Sequence, residues 1–306
     1  MTEFSHYDEQ GRSKMVDVSE KKVTDRRAVA GGRVKVTDKV MKLITSGEIE
    51  KGNVREVARV AGIMGGKKTP ELIPMCHPLL LEGIEVKFAL EEEKNLIHVY
   101  TMVKNRGKTG VEMEALTAAS TTCLTVYDMC KSVDKGIEIE NIKLLKKTGG
   151  KSGTYLASDL TGEIINICIS EKKGTAKKQV PEVLLQKGHG IEGDAHAGQP
   201  RRQVSLLAGE DIAEMKNKVL ELSPGDFGEN IITKGLNLLS FPVGTYFKLG
   251  EEVVLKLTQR GKECHDRCEI YHQVGDCIMP RRGIFAEVVQ GGQLTPETEI
   301  EVILDD

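Results

Sequence analysis

The sequence predicts an α+β protein in two parts, an α/β sandwich followed by a β-rich barrel or sandwich. Three observations lead to this prediction. The chain has 306 residues, which is long for one hydrophobic core and ordinary for two. A helical pattern over 108–131 lies among alternating segments that favour antiparallel strands. Beyond residue 163, short β-type runs separated by turn residues dominate.

The first half contains both helical and strand signals. Gly47 is expected to end a helix that Thr37 or Asp38 caps, and Val54, Val57, Ala58 and Ala61 have the spacing of a helix core face. The predicted elements, in order, are a flexible arm over 1–14, a strand within 15–36, helices over 37–49 and 54–68, strands over 82–90 and 95–104, the long helix, and a strand over 136–145.

The second half follows a stretch rich in Gly, Ser and Thr at 146–163, which predicts a linker. One short helix is expected over 209–219. The predicted strands lie within 163–170, 181–186, 202–208, 229–233, 244–250, 252–259, 284–290 and 299–304.

The long helix carries a polar stripe that suggests a binding site. Glu114, Thr121, Thr125 and Asp128 fall on one side, and Lys131 lies about one turn beyond. Hydrated charges on an ordinary amphipathic helix are the alternative. Glu114 and Asp128 are roughly 21 Å apart at about 1.5 Å per residue, so one small-substrate site uses both only if another subunit completes it. The predicted core face consists of Met113, Leu116, Cys123, Leu124, Tyr127 and Cys130.

Composition excludes several classes of function. The net charge of −3 gives no global field for nucleic acid or an anionic membrane, and 4% aromatic residues argue against base stacking. Local basic pairs such as Lys67-Lys68 suit a small polyanion better than DNA. No apolar run approaches 18 residues and no apolar signal core begins the chain, which predicts a cytoplasmic location. Seven cysteines indicate core or reactive thiols, with packing expected for Cys123, Cys130 and Cys168.

Two sequence patterns that resemble nucleotide-binding motifs each lack a feature that the motif requires. Gly150-Lys151-Ser152 resembles the end of a P-loop, but Leu145 occupies the position of the first glycine. The segment 188–193 matches GxGxxG, yet DAHAGQPRRQ follows it where a dinucleotide fold needs an apolar helix.

Motifs across about residues 5–157 indicate a more specific function. They are MVDVSEKKVTDRRA, LIPMCHPLLL, KTGVEMEAL, YDMCK and LLKKTGGKSG, in this order. The region resembles the cyclic pyranopterin monophosphate synthase (MoaC) family of molybdenum cofactor biosynthesis. The resemblance implies a lyase that converts 3′,8-cyclo-7,8-dihydro-GTP to cyclic pyranopterin monophosphate and releases pyrophosphate. It also implies a homo-oligomer, a hexamer arranged as a trimer of dimers, with sites at a subunit interface.

The family pattern assigns roles to individual residues. Lys51 and Lys131 are the expected acid/base groups, with Asp128 tuning Lys131, and Glu112 and Glu114 bind the purine-derived edge or orient water. His77 joins the catalytic set, although a lone histidine is more often structural. A triphosphate also requires several cations. The remaining substrate-binding candidates are Lys21, Arg26, Lys67, Cys76, Met113, Lys147 and Lys151. No cofactor is expected for the lyase, and the sequence leaves open whether Mg²⁺ assists.

A cysteine-rich run marks the second half. Cys264, Cys268 and Cys277 lie within 14 residues together with two histidines. Zinc is one interpretation, although the spacing is uncommon for a structural finger; a soft thiolate that binds molybdenum or carries sulfur is another.

Further motifs relate this half to a second family. GHGIEGDAHAG, RRQVSLLA, PGDFGENIITKGL and VGTYFKLGE extend a resemblance to the MOSC domain over about 160–306. The MOSC family is related to the C-terminal part of molybdenum cofactor sulfurases. The resemblance places the reactive cysteine, a possible molybdenum ligand, at Cys264, while Cys268 and Cys277 leave that choice open. It implies that His196, Arg201 and Arg202 contact the phosphate of the pterin.

These features together predict a bifunctional protein. The resemblances imply a ferredoxin-like α/β sandwich over 1–157 with lyase activity, and a MOSC barrel-like domain over 158–306 that binds molybdenum cofactor or a molybdopterin precursor, or transfers sulfur. The competing hypothesis is a cofactor carrier whose first half is inactive and only oligomerises. The sequence does not specify the chemistry of the second half or any communication between the halves.

Overall fold

The structure is a computed structural model, and it describes residues 6–7, 10–47, 53–216, 222–262, 271 and 277–304. Contacts between Cα atoms divide the chain into two compact units, Met1–Ala157 and Ser158–Leu304. Among the described helices, none is long and apolar enough to cross a membrane.

The first unit is a ferredoxin-like sandwich, as predicted. Its five antiparallel strands have the spatial order β2-β3-β1-β4-β5. Helices follow β1 and β3, and they share one hydrophobic core with the sheet. The elements are β1 (Thr24–Lys35), α1 (Asp38–Ser46), α2 (Val54–Lys67), α3 (Thr69–Leu72), β2 (Gly83–Glu91), β3 (Leu96–Gly107), α4 (Glu112–Cys130), β4 (Glu138–Thr148) and β5 (Tyr155–Leu156).

Local chemistry explains where the first two helices begin and end. Gly47 adopts a left-handed conformation, with φ of 77°, and donates its backbone N–H to the carbonyl of Leu43, which ends α1. The Asn53 side chain accepts hydrogen bonds from the backbone N–H groups of Arg55 and Glu56, which caps the start of α2.

The core face predicted for α2 is partly wrong. Val54 and Ala58 are buried, but Val57 is 42% exposed. The remainder of the buried face consists of three glycines, Gly62, Gly65 and Gly66. A Cβ atom at Gly65 would lie only 2.7 Å from the Cβ atom of Thr121 on α4. The helix backbones therefore approach more closely than large side chains would allow.

The same close packing changes the prediction for α4. Leu124 is 60% exposed and Met113 lies at the surface, although both were assigned to the core. Ala115, Ala118 and Thr122 are buried instead. Helical periodicity alone selected the larger apolar residues, whereas the neighbouring glycine-rich helix accommodates the smaller ones.

The second unit is a β-barrel. Seven described strands close on themselves in the order β11-β10-β14-β13-β12-β16-β6, and β6 pairs with β11. The β10–β11 pair is parallel. The prediction of a barrel-like second part is confirmed. The elements are β6 (Thr161–Ile169), β7 (Lys178–Gln179), β8 (Val183–Gln186), β9 (Gly190–Ile191), β10 (Val204–Ala208), α5 (Gly209–Lys216), β11 (Ile231–Lys234), β12 (Tyr246–Leu249), β13 (Val253–Arg260), α6 (Met279–Arg282), β14 (Ile284–Gln290), β15 (Gly292–Leu294) and β16 (Glu299–Ile303).

The stretch 146–163, predicted as a linker, instead contains regular structure. It includes the end of β4, all of β5 and the start of β6. Lys147 and Tyr155 are paired across β4 and β5. Gly, Ser and Thr in this stretch form the turn between these two strands.

Candidate functional site

A cavity of about 260 Å³ lies in the first unit where the N-terminal segment, the loop after α3 and the start of α4 meet. Six predicted site residues line it: Lys21, Cys76, His77, Glu112, Met113 and Glu114. The structure therefore brings together residues from three distant parts of the chain, and we call this cavity the N-terminal site.

The loop carrying Cys76 and His77 is held by successive turns. The Thr69 hydroxyl donates to the carbonyl of Gly66 at 3.0 Å, and the N–H of Ile73 donates to the carbonyl of Thr69 at 2.9 Å. The N–H of Cys76 then donates to the carbonyl of Ile73 at 3.1 Å. These bonds place both side chains at the cavity wall.

The start of α4 supplies the acidic wall. Glu114 is only 3% exposed, and burial raises the pKa of its carboxyl, with a smaller contribution from the charge of Glu112. Burial also raises the pKa of the Cys76 thiol, and the charge of Glu114 adds to this effect. A Cβ atom at Gly110 would lie 2.6 Å from the carboxyl carbon of Glu112, so this carboxylate packs directly on the backbone of Gly110. The wall offers hydrogen-bond acceptors to donor groups on a heterocycle.

A cationic cluster adjoins this cavity. The Arg26 Nε atom donates to the carbonyl of Gly107 at 3.2 Å, and its Nη2 atom donates to the carbonyl of Lys108 at 3.1 Å. A Cβ atom at Gly150 would lie 2.8 Å from the Arg26 Cζ atom, so the turn after β4 packs on the guanidinium. Lys147 contacts the hydroxyl of Ser152 on this turn, and Lys151 belongs to it. The turn thus collects three of the predicted phosphate-binding residues.

The opposite end of α4 carries a separate ion pair. Lys131 Nζ lies 2.5 Å from Asp128 Oδ1, and both side chains are exposed. The hydrogen bond and charge of Asp128 raise the pKa of Lys131. Sixteen residues separate Asp128 from Glu112, which is about 24 Å along a helix.

Two further predicted residues do not line the cavity in the part of the chain that the structure describes. Lys67 is exposed at the end of α2, beside Gly66. Lys51 lies outside the described residues. Within one chain, the structure does not bring Lys67, Asp128 and Lys131 into the cavity.

A buried polar cluster lies in the second unit, and of its members only His196 was predicted. The Lys177 ammonium is paired with the carboxylate of Asp194, and both residues are buried. Asp194 also accepts hydrogen bonds from the backbone N–H of Ser170 at 3.1 Å and from Asn230 Nδ2 at 3.1 Å. His196 Nδ1 lies 3.4 Å from Asp194 Oδ1, and its side chain is 39% exposed.

Burial and charge oppose each other in this cluster. Burial disfavours ionised Asp194, but hydrogen bonds from His196 and Lys177 outweigh it and hold the pKa of Asp194 well below its usual range. Burial lowers the pKa of Lys177 despite its bond to Asp194. Nearby, burial raises the pKa of Glu229 to about 7, although its carboxylate accepts backbone N–H groups of Gly225 and Phe227.

The other residues predicted for this unit are not all in the cluster. Arg202 is exposed, donates from Nε to Gln259 Oε1 at 3.0 Å and stacks on the Phe285 ring at 5.4 Å. The backbone carbonyl of Arg201 accepts a hydrogen bond from Thr258. Cys277 is 7% exposed within an apolar cluster. Cys264 and Cys268 lie outside the described residues.

The sequence interpretation missed Lys177, Asp194 and Asn230. Asp194 belongs to the quoted motif GHGIEGDAHAG, and Asn230 belongs to PGDFGENIITKGL. Lys177 stands in a lysine-rich segment that gives no signal of burial. Among the described residues, no group of three or more His, Cys, Asp or Glu side chains could hold a metal ion.

Comparison with known proteins agrees with these motifs. The MoaC family model matches residues 15–150. A cyclic pyranopterin monophosphate synthase from Halalkalibacterium halodurans is 54% identical over 157 residues, which are 51% of this chain and 95% of that protein. The chain belongs to the MoaC family. An enzyme of the same name from Bacillus mycoides is 54% identical over 158 residues, 51% of this chain and 98% of that protein.

The rest of this MoaC-family chain matches another description. The MOSC domain model matches residues 193–301. The YuaD protein from Bacillus subtilis is 22% identical, covers 46% of this chain and 95% of its own, and has a TM-score of 0.40. YiiM from Geobacillus stearothermophilus is 18% identical and has a TM-score of 0.37. The match covers 47% of this chain and 75% of YiiM.

Proposed function

We propose that the first unit converts 3′,8-cyclo-7,8-dihydro-GTP to cyclic pyranopterin monophosphate and releases pyrophosphate. The observation that carries the proposal is the N-terminal site, where His77, Glu112 and Glu114 meet beside the cationic cluster of Arg26 and Lys147. The enzymes named above, 54% identical to this unit, support the same activity.

The division of charge suggests how the substrate lies. The carboxylates at the start of α4 accept donor groups from the purine-derived ring, and Met113 contacts its apolar surface. The triphosphate extends toward Arg26, Lys147 and Lys151, whose charge-assisted contacts offset negative charge on the departing pyrophosphate. His77 and the two lysines, Lys51 and Lys131, transfer protons during the ring rearrangement.

We infer that a second chain completes the reaction site. Asp128 and Lys131 are too distant to reach a small substrate held by Glu112 of the same chain. We therefore place them in the site of a neighbouring subunit, in a hexamer arranged as a trimer of dimers. Exposed apolar side chains on the two long helices, Val60, Met64 and Leu124, support burial against another copy.

Pyrophosphate release from the cyclised substrate tests this function. The purified full chain should release pyrophosphate, and His77→Ala should lower kcat by about 10²- to 10⁴-fold. His189→Ala, in the second unit, is the matched control and should retain full activity. A wild-type chain that assembles but releases no pyrophosphate would favour the carrier hypothesis, in which the first unit only oligomerises.

For the second unit, we propose that it binds molybdenum cofactor or a molybdopterin precursor. His196 is partly exposed and Arg202 is exposed, so each side chain is accessible to an anionic phosphate group of such a ligand. Cys264 would supply a thiolate to molybdenum. The bound cofactor would supply redox or sulfur-transfer chemistry.

Metal and pterin analysis of purified variants tests this second proposal. Cys277 is enclosed by apolar side chains, so Cys277→Ser should keep the molybdenum content of the wild type. Cys264→Ser should lose it. Equal molybdopterin in wild type and Cys264→Ser would move the assignment to Cys268 or to zinc.

A further inference from the structure

A short N-terminal segment forms part of the wall of the N-terminal site. Residues 14–22, here called the strap, have no helix or strand. Val16 and Val18 are half-buried and line the cavity together with Lys21, while the residues between them are exposed. The strap therefore contributes to the cavity wall with few buried side chains, which is typical of segments that open at low cost.

Lys108 connects this strap to the body of the unit. Its Nζ atom donates to the carbonyl of Ser19 at 2.6 Å, across 89 positions of sequence. Its own carbonyl accepts a hydrogen bond from Arg26 Nη2 at 3.1 Å. The turn that follows, Thr109-Gly110, lines the cavity. One residue thus contacts both the strap and a member of the cationic cluster.

Hydrogen bonds within the strap form a turn around Ser19, whose carbonyl accepts the hydrogen bond from Lys108. Asp17 Oδ1 accepts the backbone N–H of Ser19 at 2.8 Å and the Ser19 hydroxyl at 2.6 Å. These two bonds hold the pKa of Asp17 below its usual value, and the charge of Lys108 contributes further. The N–H of Lys21 donates to the carbonyl of Val18 at 3.1 Å, which closes the turn.

We propose that Lys108 is a positioning residue that latches the strap over the N-terminal site, and that a triphosphate beside Arg26 strengthens the latch. The identity of this anion rests on the proposed function. An ammonium group has three donors, and the Ser19 carbonyl occupies one of them. A phosphate oxygen at a second donor fixes the lysine side chain, which makes the strap bond less costly in conformational entropy.

Limited trypsin digestion of the full chain measures the latch directly, because Lys14, Lys21 and Lys22 are cleavage sites within the strap. In the wild type, inorganic tripolyphosphate should slow cleavage after Lys21 and Lys22. Lys108→Met should be cut about tenfold faster, as expected when a hydrogen bond to a charged group is lost, and tripolyphosphate should no longer protect it. Lys108→Arg should behave as the wild type.

Two further variants make the digestion conclusive. Lys39→Met removes an exposed lysine of α1 and should leave the cleavage rate unchanged. Asp17→Ala removes the hydrogen bonds that hold the turn and changes no core residue, so it should also accelerate cleavage. If Lys108→Met fails to fold, the cleavage rate of Asp17→Ala tests the latch in its place. Wild-type cleavage rates in folded Lys108→Met, or in Asp17→Ala when that variant must decide, would overturn the proposal.

Pyrophosphate assays separate the latch from the proposed function. A latch acts on binding, so Lys108→Met should raise KM with little change in kcat, and Lys108→Arg should restore KM. A wild-type chain without activity, but with tripolyphosphate-protected cleavage that depends on Lys108, would remove the proposed reaction and leave the latch. Full activity with normal strap cleavage in Lys108→Met would remove the latch alone.

Discussion

Asp128 and Lys131 form an ion pair of 2.5 Å at the end of α4, and neither residue lines the N-terminal site. The helix begins with Glu112 and Glu114 in the cavity wall and continues for about 24 Å to this pair. One helix therefore presents ionisable groups at both ends, which a symmetric assembly of identical chains can bring together in two different sites.

Replacement of Asp128 by Asn should shift the pH dependence of the reaction. Asp128 raises the pKa of Lys131, so its removal lowers that pKa. The alkaline limb of the kcat/KM profile for pyrophosphate release should then move to lower pH. Asp38→Asn removes an exposed aspartate that pairs with Lys42 at 2.8 Å, and it should leave the profile unchanged. Identical profiles for wild type and Asp128→Asn would exclude Lys131 as a titrating catalytic group.

Glu114→Gln should reduce activity and increase stability at alkaline pH. Burial raises the folded-state pKa of Glu114 above its unfolded value, so the folded chain holds the proton more tightly. Stability from this group is complete below the unfolded pKa and is lost as pH rises through the raised folded pKa. The difference in unfolding free energy between Glu114→Gln and wild type should therefore shift in favour of the variant from about pH 4 to about pH 8.

Urea unfolding at both pH values measures this gain, and pyrophosphate release should fall at least about tenfold. Glu71→Gln, at an exposed position of α3, serves as the control. A stability difference between Glu114→Gln and wild type that is independent of pH would contradict the expected titration.

Lys177→Met should destabilise the second unit strongly. Removal of one partner from a buried ion pair leaves the other charge uncompensated, at a cost of about 3–5 kcal/mol. Lys177 and Asp194 are both buried, and Asp194 would keep only its neutral donors and His196. Urea unfolding should also show that Lys177→Met/Asp194→Asn recovers part of the loss. Lys178→Met, one residue along and exposed, should remain close to wild type.

Gly65→Ala should destabilise the first unit by about 1–3 kcal/mol, because the new methyl group would overlap Thr121. Alanine favours a helix by about 1 kcal/mol over glycine, so the measured loss reports packing against α4. Thr121→Gly removes the Thr121 Cβ atom, so Gly65→Ala should cost less unfolding free energy in a Thr121→Gly background than in the wild type. If Gly65→Ala alone raises the midpoint of unfolding, the close approach of α2 and α4 is not tight.

The elements with strong local signals were predictable. The end of α1 at Gly47 and the alternating strands β2 and β3 follow from backbone preferences and from the period of the side chains. The buried face of α4 was not predictable in this way. Whether Leu124 or Ala118 is buried depends on the glycines of α2, which are distant in sequence.

The candidate site shows a similar division. Motifs named Cys76, His77 and Glu114, and the structure gathers them at one cavity. Lys177 gave no signal, because its burial depends on Asp194 and Asn230 being folded around it. The contact of Lys108 likewise depends on the fold, because its ammonium reaches the carbonyl of Ser19, which is 89 positions away in sequence.

By itself, the sequence determined the types and order of the elements, the motifs that resemble the MoaC and MOSC families, and most of the candidate site residues, because these depend on short-range geometry and residue chemistry. Only the tertiary structure decided which helix faces are buried and which charges are paired. These properties depend on contacts between segments separated by tens of residues, which no local pattern specifies.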